Sequence, residues 1–61
     1  MKLKITIEMD NAAFDGGRGE ESARILRDLA DLMDGSQLFA GNGWILRDTN
    51  GNTVGAARVT R

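Results

Sequence analysis

The chain contains no cysteine, no histidine, no tyrosine and no proline. Without cysteine a disulfide is impossible, and with histidine also absent a zinc site of the Cys/His type is impossible. Ser22, Ser36 and the threonines have no histidine to activate them as nucleophiles. Glu20 and Glu21 are adjacent in sequence and project apart on a helix, so they form no acid/base pair. A chain of 61 residues also has little room for a pocket of the usual several hundred Å³. These absences point away from an enzyme and away from any cofactor or metal.

Long apolar runs are missing too. No segment approaches the roughly 20 apolar residues that span a bilayer, and from Lys2 the N-terminal segment alternates polar and apolar with no signal-peptide core. The chain reads as soluble and cytoplasmic, with no membrane partner. The absence of cysteine carries no redox information. The net charge of −1 is neither the basic excess of a typical nucleic-acid binder nor a strong acidic excess. Six of the eight basic residues are arginine, a residue suited to bidentate contacts at interfaces, although a GC-rich genome is the better account of it.

What remains is one domain, residues 1–61. A chain this short buries only about 60% of its unfolded surface. With disulfides and zinc excluded, the remaining source of extra stability is association, as a homodimer or with another partner.

Residues 2–9 alternate strictly. Leu3, Ile5, Ile7 and Met9 point one way and Lys2, Lys4, Thr6 and Glu8 the other, which predicts a strand with one buried face; outward lysines are a common protection for a sheet edge. Residues 10–19 read as a loop rich in Asx and glycine, with Phe14 plugging one end of the core. Residues 20–34 read as the single long helix: Ala23, Leu26, Leu29, Ala30 and Met33 recur at helical spacing, widened by Ile25 and Leu32. Glu20 and Glu21 suit its first turn, Gly35 suits its end, and Arg24–Asp28 and Arg27–Asp31 are i,i+4 pairs. Asp28, Asp31 and Asp34 line the solvent side. Residues 36–42 form a second loop, with Leu38 and Phe39 as further plugs.

Residues 43–48 and 53–60 predict two strands around Asn50-Gly51, the strongest short hairpin signal, because a type I′ turn needs positive φ at both central residues. Trp44, Leu46 and Val59 are expected inward. The narrow run Gly55-Ala56-Ala57 suits a central strand with the helix close above it. The expected fold is α+β, β-α-β-β: a three-stranded antiparallel sheet with one helix packed on one face. Long connections on both sides of the helix favour strand order 1-3-2; the alternative makes the first two strands parallel neighbours through a right-handed crossover.

Two loops invite a ligand reading. Asp48-Thr49-Asn50-Gly51-Asn52 resembles a Ca²⁺ loop, but only Asp48 is charged and no glutamate follows at the spacing of an EF-hand, so a hairpin turn accounts for it. Gly16, Gly17 and Gly19 flank Arg18 between a strand and a helix, where phosphate loops sit. No Gly-Lys-Ser/Thr follows, and a flexible linker accounts for them; an anion held by Arg18 and the helix N-terminus stays open.

The sheet face away from the helix is the stronger candidate. It is expected to carry Lys2, Lys4, Arg47 and Arg58 beside Ile45, Ala56 and Val54. A mixed basic and apolar surface suits a protein interface or a nucleic-acid platform; an ordinary solvated sheet face accounts for it as well as the two together. It lacks stacking aromatics unless Trp44 turns outward, which favours protein. Arg24, Asp28 and Asp31 on the helix are a second candidate set.

Several stretches taken together, Lys4-Ile5-Thr6-Ile7, Asp10-Asn11-Ala12-Ala13-Phe14, Ala23-Arg24-Ile25-Leu26 and Asp48-Thr49-Asn50-Gly51-Asn52-Thr53-Val54-Gly55, resemble small proteins of unassigned function encoded on phages, plasmids and genomic islands of proteobacteria. The resemblance spans most of the chain. Such loci often encode anti-defence proteins, including anti-CRISPR inhibitors, which are short, cysteine-poor and act by occupying a surface of a defence complex. It implies a non-enzymatic protein-interaction module, an inhibitor or accessory protein that sterically blocks a bacterial defence complex. The alternative is a small dimeric nucleic-acid-binding regulator using the same basic face. A third reading, an assembly peptide of a phage particle, has no positive feature in the sequence.

Overall fold

A computed structural model describes all 61 residues. The element order is β1 (Lys2–Ile7), a single 3-10 turn (Ala12–Phe14), α1 (Arg18–Met33), β2 (Gly43–Arg47) and β3 (Thr53–Thr60). The three strands form one antiparallel sheet in the order β1-β3-β2. The expected α+β architecture and strand order are therefore the observed ones, with the Gly-Ala-Ala strand at the centre. No helix is long and apolar enough to cross a membrane.

Register sorts the side chains. Leu3, Ile5 and Ile7 lie opposite Val59, Ala57 and Gly55, while Trp44 and Leu46 lie opposite Ala57 and Gly55. This is the face toward α1. Ile25 and Leu29 of the helix meet Leu46, Val54 and Ala57, and Phe14 closes one end, with Ile7, Ala13, Met33 and Trp44 packed at the margin.

Val54 departs from the expected pattern. Alternation from Val59 places it on the outer face, yet it is buried in the core. The cause is a β-bulge: Leu46 lies opposite Gly55 but the next residue, Arg47, lies opposite Thr53. Val54 is the extra residue, and the bulge turns it inward beside Gly55. Gly55 is there by necessity, because a Cβ at that position would overlap the carbonyl oxygen of Thr6 on β1.

The hairpin is also built differently from a type I′ turn. Gly51 has φ 85, but no residue other than glycine has positive φ, so Asn50 does not. The Asp48 carboxylate sets the turn instead. Its Oδ1 accepts the N–H groups of Asn50 and Asn52 at 2.8 and 2.9 Å, while Gly51 N–H donates to Asp48 O. The helix begins at Arg18, earlier than expected, with Gly17 at φ 152 as its N-cap and Gly19 inside its first turn; Gly35, at φ 79, follows its C-cap.

Three further expectations are corrected. Phe39 is no core plug: it is 61% exposed, whereas Leu38 is half-buried. Leu3 and Ile5 face the helix side but stay 40% and 41% exposed, because α1 lies over β2 and β3. Met9 falls outside β1 and is exposed.

Candidate functional site: the open face of the sheet

The face of the sheet opposite α1 is bare. Lys4 on β1 lies directly opposite Arg58 on β3, and Arg58 lies opposite Gly43 on β2. Lys2 sits one step along, opposite Thr60. Three basic side chains thus converge at one end, and none of them makes an ion pair. Like charges directly opposite on neighbouring strands are unfavourable, so this arrangement costs stability unless an external negative charge compensates it.

The next row is Thr6, Ala56 and Ile45. Ile45 is 57% exposed; the missing side chain at Gly43 and the small one at Ala56 leave it standing above its neighbours. A shallow depression of about 420 Å³ lies over Thr6, Glu8, Ile45, Thr53 and Ala56. Arg47 closes the far end, donating from Nη1 to Thr53 Oγ1 at 3.3 Å. It lies four residue steps from Gly43, roughly 13 Å at the usual rise, so Arg47 is on the expected face but apart from the Lys2, Lys4 and Arg58 group. Val54, expected here, is in the core. Trp44 packs on the helix side, which leaves this face without an aromatic ring.

The helix set behaves differently. Arg24 donates to both carboxylate oxygens of Glu21, at 2.8 and 3.0 Å, and to Asp28 at 2.9 Å. Its Nη2 also reaches the Arg47 carbonyl at 3.2 Å. Four of its five N–H donors are thus spent within the molecule. Asp28 and Asp31 are exposed, on the opposite layer from the Lys4–Arg58 pair. Arg27 and Asp31 make no ion pair.

Two buried carboxylates escaped the sequence reading. Glu21 accepts the backbone N–H of Thr49 at 2.8 Å as well as the Arg24 guanidinium. The Arg24 hydrogen bond holds its carboxyl below the ordinary value, against the opposing push of burial; the same bond raises Arg24. Asp48 is 4% exposed, and its Oδ2 accepts the side-chain amides of Asn11 and Asn52 at 2.8 and 3.2 Å. Burial pushes Asp48 up, but the hydrogen bonds from Asn52, Asn11 and Asn50 outweigh it and leave the group below its usual value. Both oxygens of Asp48 are thus taken by amide donors of the chain itself. The readable signals were the Asp48-x-Asn50-x-Asn52 spacing and the position of Glu21 four residues before Ile25, on the core stripe.

At the glycine-rich entry to the helix, Arg18 Nε donates to the Met9 carbonyl at 3.3 Å, tying the start of the helix to the segment that follows β1. No group of three or more acidic, histidine or cysteine side chains is gathered closely enough to hold a metal ion. No family model matches the chain, and no curated protein or solved structure matches it significantly.

Proposed function

We propose that this chain is a non-enzymatic protein-interaction module that docks through the bare sheet face and sterically blocks a surface of a larger complex. The observation that carries the reading is the Lys4–Arg58 pair, opposed across neighbouring strands with no carboxylate to neutralise it, beside the exposed Ile45. A partner offering carboxylates around an apolar contact would relieve the repulsion and bury the isoleucine together. Burial of an apolar centre inside a polar rim is the usual anatomy of a protein interface. The likeness to small mobile-element proteins supports a bacterial defence complex as the target and inhibition as the outcome.

Nucleic acid is the second reading, favoured by the same basic end. The absence of an aromatic ring on this face counts against it, since single strands are held largely by stacking. Affinity capture from lysate, with and without nuclease, separates the two. A protein complex that survives nuclease supports the module. Enrichment that vanishes with nuclease, and binding to bare DNA or RNA that falls steeply with salt, would replace it with the regulator.

A further inference from the structure

The two edges of the sheet are not equivalent. Backbone direction alternates along a strand, and Glu8 N–H donates inward to Val54 O. Residues Lys2, Lys4 and Thr6 therefore direct their backbone groups toward β3, and Leu3, Ile5 and Ile7 direct theirs to the open edge. On the other edge the outward carbonyl of Arg47 is capped by Arg24. The β1 edge carries no such cap. Apolar surface is left uncovered on both flanks, at Ile45 and Leu32 on the β2 side, 57% and 60% exposed, and along β1 itself. Leu3 and Ile5 are 40% and 41% exposed. Arg24 and Asp28 mark the flank of α1 over β2, so Leu26, about 200° around the helix from Arg24, lies on the β1 flank, and it is 41% exposed.

We propose that a second copy of this chain pairs with β1, antiparallel, with Ile5 opposite its own counterpart, to build one six-stranded sheet across two chains. Because only Leu3, Ile5 and Ile7 offer free backbone groups, those residues must pair among themselves. Centring on Lys4 would set Lys4 against Lys4. Centring on Ile5 sets Leu3 against Ile7, Lys4 against Thr6, and Lys2 against Glu8 of the other copy, with opposite charges facing twice in each dimer. The same register brings both rows of Leu3 and Ile5 together beneath the two Leu26 flanks, covering the surface that α1 leaves open. Lys2 and Lys4 project from the outer face, so here they select the register and do not block the edge. The dimer also lines up the two outer faces side by side.

The test is sedimentation equilibrium of the native chain from about 1 μM to about 1 mM, the range in which a moderate dimer becomes populated. The expected mass is twice 6.6 kDa. Lys2→Glu and Glu8→Lys each place like charges opposite one another and should weaken self-association roughly tenfold. An equimolar mixture of the two variants should recover it as a heterodimer, because each Glu then meets a Lys. Circular dichroism checks that both variants stay folded. A native chain that remains at monomer mass throughout overturns the proposal. So does a dimer whose strength neither single variant changes. The readout is the mass of purified protein, so the result stands apart from any binding by the outer face.

Discussion

Glu21, in the first turn of α1, accepts the backbone N–H of Thr49 at 2.8 Å across a separation of 28 residues. That bond ties the start of the helix to the β2–β3 turn, and Arg24 repeats the tie one turn later on the Arg47 carbonyl. Together they draw α1 over the hairpin side of the sheet. The core of Ile25, Leu29, Leu46 and Val54 forms there, and β1 keeps an open flank.

Replacing Glu21 with alanine removes an acceptor from Thr49 N–H and the main partner of Arg24. Amide exchange at Thr49 and Asn50 should accelerate, while exchange along β1 changes little, because β1 has no part in the tie. Hydrogen exchange followed by NMR reads this directly.

Acid should weaken the fold through the same two carboxylates. Glu21 and Asp48 both lie below their ordinary values of 4.5 and 3.8. A group depressed in the folded state adds stability above its unfolded pKa and loses it as pH falls through the folded one. The contribution is therefore complete at neutral pH, begins to fade below about pH 4.5, and is lost only in stronger acid. In Asp48→Asn the melting temperature should lie below that of the native chain at pH 7, with the gap narrowing as pH drops. Thermal melts across pH 2–7 test the sign.

Gly55 and Gly19 should respond in opposite directions. Alanine at Gly55 forces the backbones of β1 and β3 apart at Thr6, and a loss at the top of the ~1–3 kcal/mol range for overpacking is expected. Gly19 lies within α1 with open space around it, so alanine there should stabilise by about 0.5–1 kcal/mol. Urea titrations of the two variants give both signs.

The two phenylalanines should separate as sharply. Phe14 is 2% exposed, and truncation to alanine should cost about 3–5 kcal/mol, most of the stability of a domain held by ~5 kcal/mol. Phe39→Ser, at an exposed site, should change stability by less than about 0.5 kcal/mol.

The fold was legible wherever a local pattern matched a local structure. Strict alternation marked β1, helical spacing marked α1, and the small side chains of Gly55, Ala56 and Ala57 marked the central strand. Val54 was illegible because the bulge depends on which residue of β2 lies opposite, a property of the pairing and not of β3 alone. The burial of Glu21 depends on a turn far along the chain. The exposure of Leu3 and Ile5 depends on how far α1 leans. Of the candidate site, alternation placed Lys2, Lys4, Arg47, Arg58 and Ile45 on one face. The direct opposition of Lys4 and Arg58, and the distance of Arg47 from them, needed the register.

The most direct test of the docking surface is the affinity of a captured partner complex for the Lys4→Glu/Arg58→Glu double variant, measured against the native chain and against Asp31→Lys on the opposite layer. Docking through the bare sheet face predicts that the double variant, folded by circular dichroism, loses at least about 2.8 kcal/mol of binding, a hundredfold, while Asp31→Lys binds as the native chain does. Unchanged affinity in the folded double variant would contradict it.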